Sequence, residues 1–184
     1  LWFASIAERV DRIVICFHDD PLNPQLSAAR NRTIEAHPWR DKLHCLKLVE
    51  TGAFGLADWT AAECDEYGLR LVGPRSVAAV YRRRARELRE ALRPFVEDAD
   101  NVFTHNPWGE YGHEEHVMVY RVVESLVART GAQMWCSNYA SSWSWPLMLR
   151  YLNTEDLPTY SADVDEAAMR AVADVYRANE TWTW

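Results

Sequence analysis

Several features that define whole classes of protein are missing or scarce in this 184-residue chain. No apolar run approaches the ~20 residues that cross a bilayer, so we expect no membrane-spanning helix. Positive charge is scarce: 20 lysines and arginines against 27 acidic residues leave a net charge of −7, which argues against a nucleic-acid or anionic-membrane surface. The four cysteines form no C-x-x-C pair, which favours reduced thiols in a cytoplasmic protein. Glu8 and Arg9 interrupt the only stretch where a secretory signal would be apolar.

The pattern that is present is one of strands alternating with helices. With 48% hydrophobic residues the chain can bury one core, and we predict a single domain over residues 1–184. Apolar runs predict strands over residues 12–17, 43–49, 101–105 and 133–138, and amphipathic runs predict helices over residues 27–36, 76–93, 113–129 and 164–179. Pro94 should end the second helix and Gly131 should cap the third. The alternation predicts an α/β fold, a three-layer Rossmann-like domain with a mostly parallel sheet.

The stretch NVFTHNPWGEYGHEEH, residues 101–116, crowds histidines and glutamates at the carboxyl end of a predicted strand, where ligands bind in such sheets. His113 and His116 lie on the apolar stripe of the helix that follows, so both imidazoles should point inward and reach one small site. The first helical turn also favours a neutral imidazole, which can coordinate a metal. The alternative is that His113 only begins the helix and that His116 is a hydrogen-bonded core histidine.

The segment THNPWGEYGHEEHVMVYR resembles the second motif of the LmbE-like, or PIG-L, de-N-acetylase family, in which a strand ends in Thr-His and Gly-His-x-x-His opens the next helix. The likeness is most specific over residues 103–121, while the order of strands and helices extends it to most of the chain. The resemblance implies a zinc-dependent hydrolase that removes acetyl groups from N-acetylglucosamine-containing small molecules or glycoconjugates. It implies that His116 binds the metal and that His113 steadies the tetrahedral intermediate.

Other side chains receive roles that rest on the same resemblance. Glu115 stands where the family commonly has Asp and could orient an imidazole, although a first-turn acid that satisfies the helix dipole explains it equally well. Glu114 replaces the usual Pro. Five side chains could contact a substrate, either as cations or as stacking platforms: Arg30, Arg32, Trp108, Trp143 and Trp145. With nine tryptophans in the chain, most of them should simply be packing, and the arginines should be solvated.

The family's first motif, His-Pro-Asp-Asp, which supplies two metal ligands and the base, does not occur in residues 1–184. One explanation is that it precedes residue 1, so that the chain is an N-terminally truncated domain without its first strand. Then Asp20 borders the cleft and His18 is a partly exposed loop histidine. The other explanation is that RIVICFHDD is a degenerate first motif, with His18 and Asp20 as ligands and Asp19 as base. A catalytically inactive relative that binds a sugar or a partner is the alternative function.

Overall fold

The computed structural model describes residues 4–152 and 158–182 of the chain. The described residues form a mixed α/β structure, which confirms the predicted fold class at that level. In chain order the elements are a 3-10 helix (Ala4–Arg9), β1 (Ile13–Asp19), α1 (Pro24–Glu35), a 3-10 turn (Arg40–Lys42), β2 (Leu43–Val49), β3 (Cys64–Asp65), β4 (Gly68–Leu69), α2 (Arg75–Glu97), β5 (Asn101–Thr104), α3 (Glu114–Val127), β6 (Gln133–Cys136), α4 (Trp145–Leu152) and α5 (Glu166–Ala178).

These elements group into two compact units. The first unit comprises Leu1–Glu50 and Thr159–Trp184, and the second unit comprises Thr51–Pro158. The three-layer arrangement and the single domain over residues 1–184 stay predictions. Among the described helices, none combines the length and the apolarity that crossing a bilayer requires.

In the first unit, β1 and β2 pair in parallel, with Ile13 opposite Leu43. Both strands were predicted from their apolar, β-branched runs, and both are confirmed. Helix α1 begins three residues earlier than predicted because the side chain of Asn23 caps it, accepting a hydrogen bond from the backbone N–H of Leu26, and Pro24 occupies the first helical turn. This pairing places His18 and Asp19 at the carboxyl end of β1.

In the second unit, β5 and β6 pair in parallel, and β3 and β4 form a short antiparallel pair. Helix α2 buries one stripe of apolar side chains, including Tyr81, Leu88 and Val96, and leaves its arginine-rich face to solvent. The prediction that Pro94 ends this helix is wrong. Pro94 removes a single backbone hydrogen bond near the helix end, and the buried stripe continues beyond it to Val96, so packing holds the last turn.

One further expectation, at the end of the third predicted helix, needs correction. Helix α3 ends at Val127 with Ala128 in a right-handed conformation, and Gly131 is not among the glycines with positive φ, so the predicted glycine cap is wrong. Ala128 donates its N–H to the carbonyl of Glu124 instead. The four cysteines are free, as expected; Cys16, Cys45 and Cys64 are partly buried, and Cys136 is exposed.

Candidate metal centre

The loop between β5 and α3 is a tight turn built on left-handed backbone conformations. Gly109, Glu110 and Gly112 have φ values of 70°, 54° and 95°. Glycine adopts such values freely, whereas a glutamate rarely does, so the surrounding hydrogen bonds must hold Glu110 there. Gly109 has no room for a side chain, because an added Cβ would lie 2.8 Å from the carbonyl oxygen of His113. The turn directs the Glu110 side chain toward the histidines at both ends of the loop.

His105, Glu110 and His116 converge on one point. The Nδ1 atom of His116 lies 2.8 Å from Oε2 of Glu110, and the Nδ1 atom of His105 lies 3.3 Å from the same oxygen. One ligand atom from each residue falls within 4.8 Å of the others. The imidazoles of His105 and His116 are stacked with ring centroids 3.9 Å apart. Glu110 is 1% exposed, and the two histidines are half-buried.

A second layer of hydrogen bonds fixes Glu110. Its Oε1 accepts from the backbone N–H of Asn106 at 2.9 Å, and the Asn106 side-chain oxygen accepts from the Glu110 N–H at 2.9 Å, so the two residues bind each other reciprocally. The Asn106 amide nitrogen donates in turn to the carbonyl of Tyr139 at 2.9 Å. The hydroxyl of Ser144 donates to the carbonyl of Glu110. The carboxylate is therefore pre-oriented toward the histidines.

The electrostatic environment gives Glu110 and His116 the charge that a metal ligand needs. Burial raises the pKa of Glu110, but hydrogen bonds from His105 and His116 and their positive charge outweigh it and lower the pKa to about 2. Burial, with a contribution from the charge of His105, lowers the pKa of His116 to about 3. At neutral pH Glu110 is therefore an anion and His116 is neutral. Both are the protonation states in which these side chains bind a metal.

The three side chains fit a divalent metal ion. Two histidines and one carboxylate form a ligand set known for catalytic zinc, which leaves a fourth position for water or substrate. The Nδ1 atoms of His116 and His105 lie 2.8 and 3.3 Å from Oε2. Two ligands of a tetrahedral ion with bonds of about 2.0–2.2 Å lie about 3.4 Å apart, so the hydrogen bond between His116 and Glu110 must open slightly when an ion enters. Among the described residues, His105, Glu110 and His116 form a group that could hold a metal ion.

His113 lies beside this group and accepts a hydrogen bond from the backbone. It is the N-cap of α3, and its Nδ1 accepts from the backbone N–H of Glu115 at 3.2 Å. Burial, aided by the charge of His105, lowers the pKa of His113 to about 4, so the ring is neutral at pH 7. A neutral imidazole that accepts at Nδ1 carries its proton on Nε2. The ring stacks on His116 at a centroid distance of 4.6 Å.

The acidic residues between the histidines hold a neighbouring loop. Glu114 is 0% exposed, and its two carboxylate oxygens accept the backbone N–H groups of Ala57 at 2.9 Å and Gly55 at 3.2 Å. Oε1 of Glu115 accepts from the N–H and the hydroxyl of Thr51, at 2.6 and 2.7 Å. The predicted role of Glu115 in orienting an imidazole stays a prediction, and its position in the first turn of α3 fits the alternative role as well.

The other residues proposed from the first motif lie in the first unit. His18 is a strand residue that is 1% exposed, so the expectation of a partly exposed loop histidine is wrong. Its Nδ1 lies 2.6 Å from Oδ1 of Asp19, and its Nε2 has no hydrogen-bond partner among the described residues. Asp20 shapes the turn after β1, where its Oδ1 accepts from the N–H of Leu22 at 3.0 Å. The roles of His18 as a ligand and of Asp20 in catalysis stay predictions.

The candidate substrate contacts separate by exposure. Arg32 is exposed, while Arg30 lies 2.6 Å from the Glu50 carboxylate. Trp108 is 3% exposed and packs in a core cluster with Trp59 and Leu147. Its indole N–H donates to the carbonyl of Tyr139 at 2.8 Å. These contacts favour a packing role for Trp108 over stacking on a sugar. Trp143 and Trp145 are exposed.

His105 and Glu110 were not assigned as ligands from the sequence, although residues 105–110 were placed at the carboxyl end of a strand. The available signal was a glutamate between two glycines, GEYG, at a short distance from a histidine on each side.

Comparison with known proteins finds no matching family model, no matching curated protein and no matching solved structure. The resemblance to the LmbE-like de-N-acetylases therefore stays a prediction, and the functional argument depends on the site itself.

Proposed function

We propose that this protein is a zinc-dependent hydrolase that removes the acetyl group from an N-acetylated sugar or glycoconjugate, on a three-layer Rossmann-like domain. The observation that carries the proposal is the convergence of His105, Glu110 and His116 on one point, with ligand atoms within 4.8 Å of one another. The motif around these residues, with its resemblance to the LmbE-like family, supports the choice of an amide substrate over other hydrolytic targets.

The chemistry follows from the donor set. An ion held by these residues would act as a Lewis acid toward the acetyl carbonyl and would lower the pKa of water to about 7. His113 donates from Nε2 to the carbonyl oxygen as negative charge develops on it, which lowers the barrier most when the donor is already oriented. The N–H of Glu115 fixes the orientation of His113 through Nδ1, and His116 and Phe54 flank its ring. The products are acetate and a free amine.

Metal analysis tests the site directly. Purified protein incubated with zinc should hold one ion per chain, measured by mass spectrometry of the metal after desalting. His116→Ala should abolish this, and Glu110→Gln should weaken zinc binding by about 100-fold or more, because it removes a charged ligand. His44→Ala, at an exposed histidine of β2, is the matched control and should keep the zinc. Equal zinc binding by all three variants would refute the centre.

Acetate release from N-acetylglucosamine tests the reaction. His113→Phe should keep the zinc and lose about 10²–10³ in kcat, since it removes one oxyanion donor and leaves the three ligands in place. Unchanged turnover in that variant would remove His113 from the mechanism.

A sugar-binding domain without activity is the second candidate, favoured by an aromatic ring that is exposed beside His113. Phe54 is 61% exposed, with its ring centroid 4.9 Å from that of His113. Under this alternative the protein binds N-acetylglucosamine but releases no acetate, even when it holds zinc.

A further inference from the structure

Two large aromatic side chains in the second unit are exposed although they border the buried start of α3. Phe54 is 61% exposed and Trp143 is 58% exposed. Phe54 contacts His113, and Trp143 packs on the neighbouring Gly112, where an added Cβ would lie 3.0 Å from the Trp143 Cβ. The two side chains therefore lie against consecutive residues that lead from the metal loop into α3, Trp143 against Gly112 and Phe54 against His113.

The segment that carries Phe54 is fixed by hydrogen bonds to two glutamates at the start of α3. Glu114 accepts the N–H groups of Gly55 and Ala57, and Glu115 accepts the N–H and hydroxyl of Thr51. All of these bonds are buried or partly buried, so residues 51–57 are held at both ends while the Phe54 ring points outward. A flexible surface loop would not need two buried carboxylates to fix its backbone.

The segment that carries Trp143 is anchored in a similar way. The hydroxyl of Ser141 donates to the carbonyl of Tyr111 at 2.9 Å, and the Ser141 N–H donates to the carbonyl of Glu110 at 3.1 Å. The hydroxyl of Ser144 donates to the same Glu110 carbonyl. The Trp143 N–H closes the turn on the Ser141 hydroxyl at 3.2 Å. The position of Trp143 is thus tied directly to a candidate metal ligand.

Two exposed rings on hydrogen-bonded segments beside a candidate metal site offer a ligand apolar surface that is already held in place, so that little ordering of these segments is needed on binding. We infer that Phe54 and Trp143 form an aromatic rim that stacks on the apolar C–H face of a pyranose ring. The ring is held so that its acetamido group reaches His113 and the metal ligands. The identity of the sugar rests on the proposed function, whereas the rim itself rests on the exposure and anchoring of the two side chains.

Equilibrium binding tests the rim separately from catalysis. The full chain is treated with chelator and titrated with the methyl glycoside of N-acetylglucosamine, and the Kd is measured by NMR line shapes or calorimetry. Phe54→Ala and Trp143→Ala should each weaken binding by about tenfold, the usual value of one aromatic contact. Phe54→Tyr keeps the ring face and should bind within about twofold of the original protein. Leu149→Ala, at an exposed aliphatic residue of α4, is the matched control and should leave the Kd unchanged.

Kinetics on the zinc-loaded protein add a readout that misfolding would not imitate. Trp143→Ala should raise KM by about tenfold with kcat nearly constant, because Trp143 packs on Gly112 and its stacking on the sugar is equal in the ground and transition states. An acyclic N-acetyl amine, which lacks a ring face, should be hydrolysed equally well by the original protein and by Trp143→Ala.

The outcomes separate the rim from the proposed function. If the original protein does not bind the glycoside, or if the ring-removing variants bind it as well as Leu149→Ala does, the rim is overturned whatever the zinc and acetate measurements show. If the glycoside binds through Phe54 and Trp143 but the protein holds no zinc and releases no acetate, the rim stands and the hydrolase proposal fails.

Discussion

Replacing Glu114 with glutamine should loosen the loop that carries Phe54 while leaving all three candidate metal ligands in place. The side chain is fully buried, and each carboxylate oxygen accepts one backbone N–H, from Ala57 at 2.9 Å and from Gly55 at 3.2 Å. Glutamine has nearly the same volume but only one acceptor oxygen, so its NH₂ group must face one of these N–H donors. A lost hydrogen bond to a charged group costs about 1.5–3 kcal/mol, and an unpaired buried donor costs about 1–3 kcal/mol. Because the two terms overlap, we expect a loss of about 2–4 kcal/mol in the free energy of unfolding.

The assay is urea denaturation, combined with amide hydrogen exchange of Gly55 and Ala57. The control is Glu124→Gln on the same helix, where a half-exposed carboxylate pairs with Arg121 at 2.8 Å and a change below about 1 kcal/mol is expected. Exchange at the two loop amides should accelerate in Glu114→Gln and not in the control. Should Glu114→Gln prove no less stable than the control, or should its loop amides exchange at the original rate, the anchoring role of this carboxylate would be refuted.

The remaining predictions concern the core of the second unit. Gly109→Ala should lower the free energy of unfolding by about 2 kcal/mol or more and weaken zinc binding, because the φ of Gly109 is +70° and the new Cβ would lie 2.8 Å from the His113 carbonyl oxygen. The control is Gly131→Ala, whose Cβ would meet nothing within 4 Å. In the same denaturation assay this control should be neutral or stabilise the protein by up to about 1 kcal/mol. Asn106→Ala should lower zinc affinity by about 10- to 100-fold by releasing the carboxylate that it orients, as measured by chelator competition; unchanged affinity would contradict that role. Burial raises the pKa of Tyr81 well above 10.0, so the unfolded chain loses this proton at a lower pH than the folded protein does. The free energy of unfolding should therefore fall as the pH rises above 10. Denaturation measured across that pH range should show a less steep fall for Tyr81→Phe.

The local elements could be read from the sequence because their signals are local. The run at residues 43–49 is apolar and ends beside a turn, and it forms a strand with those bounds in the structure. The last helix begins at Glu166, close to its predicted start at residue 164, and the side chain of Asp165 caps it. Errors arose where packing overrides a local rule. Pro94 lies inside α2 because the buried stripe continues past it, and Gly131 does not cap α3.

The candidate site was only half predictable for a different reason. His116 and His113 follow from helical periodicity and from the resemblance of the surrounding motif. Glu110 could not be identified as a ligand, because its direction depends on a left-handed backbone at a non-glycine residue, with φ of 54°. No short-range rule predicts that conformation for glutamate, which the reciprocal bonds with Asn106 maintain.

The three candidate ligands all come from one short stretch of chain between residues 105 and 116. Bringing such neighbours together closes only a small loop, which costs little chain entropy and is fast compared with assembling distant segments. A chain that has formed only the end of β5 and the start of α3 could therefore already capture an ion. In that case the cation would nucleate the folding of the second unit. Zinc present during refolding should then raise the folding rate of this unit, and not only bind after folding is complete.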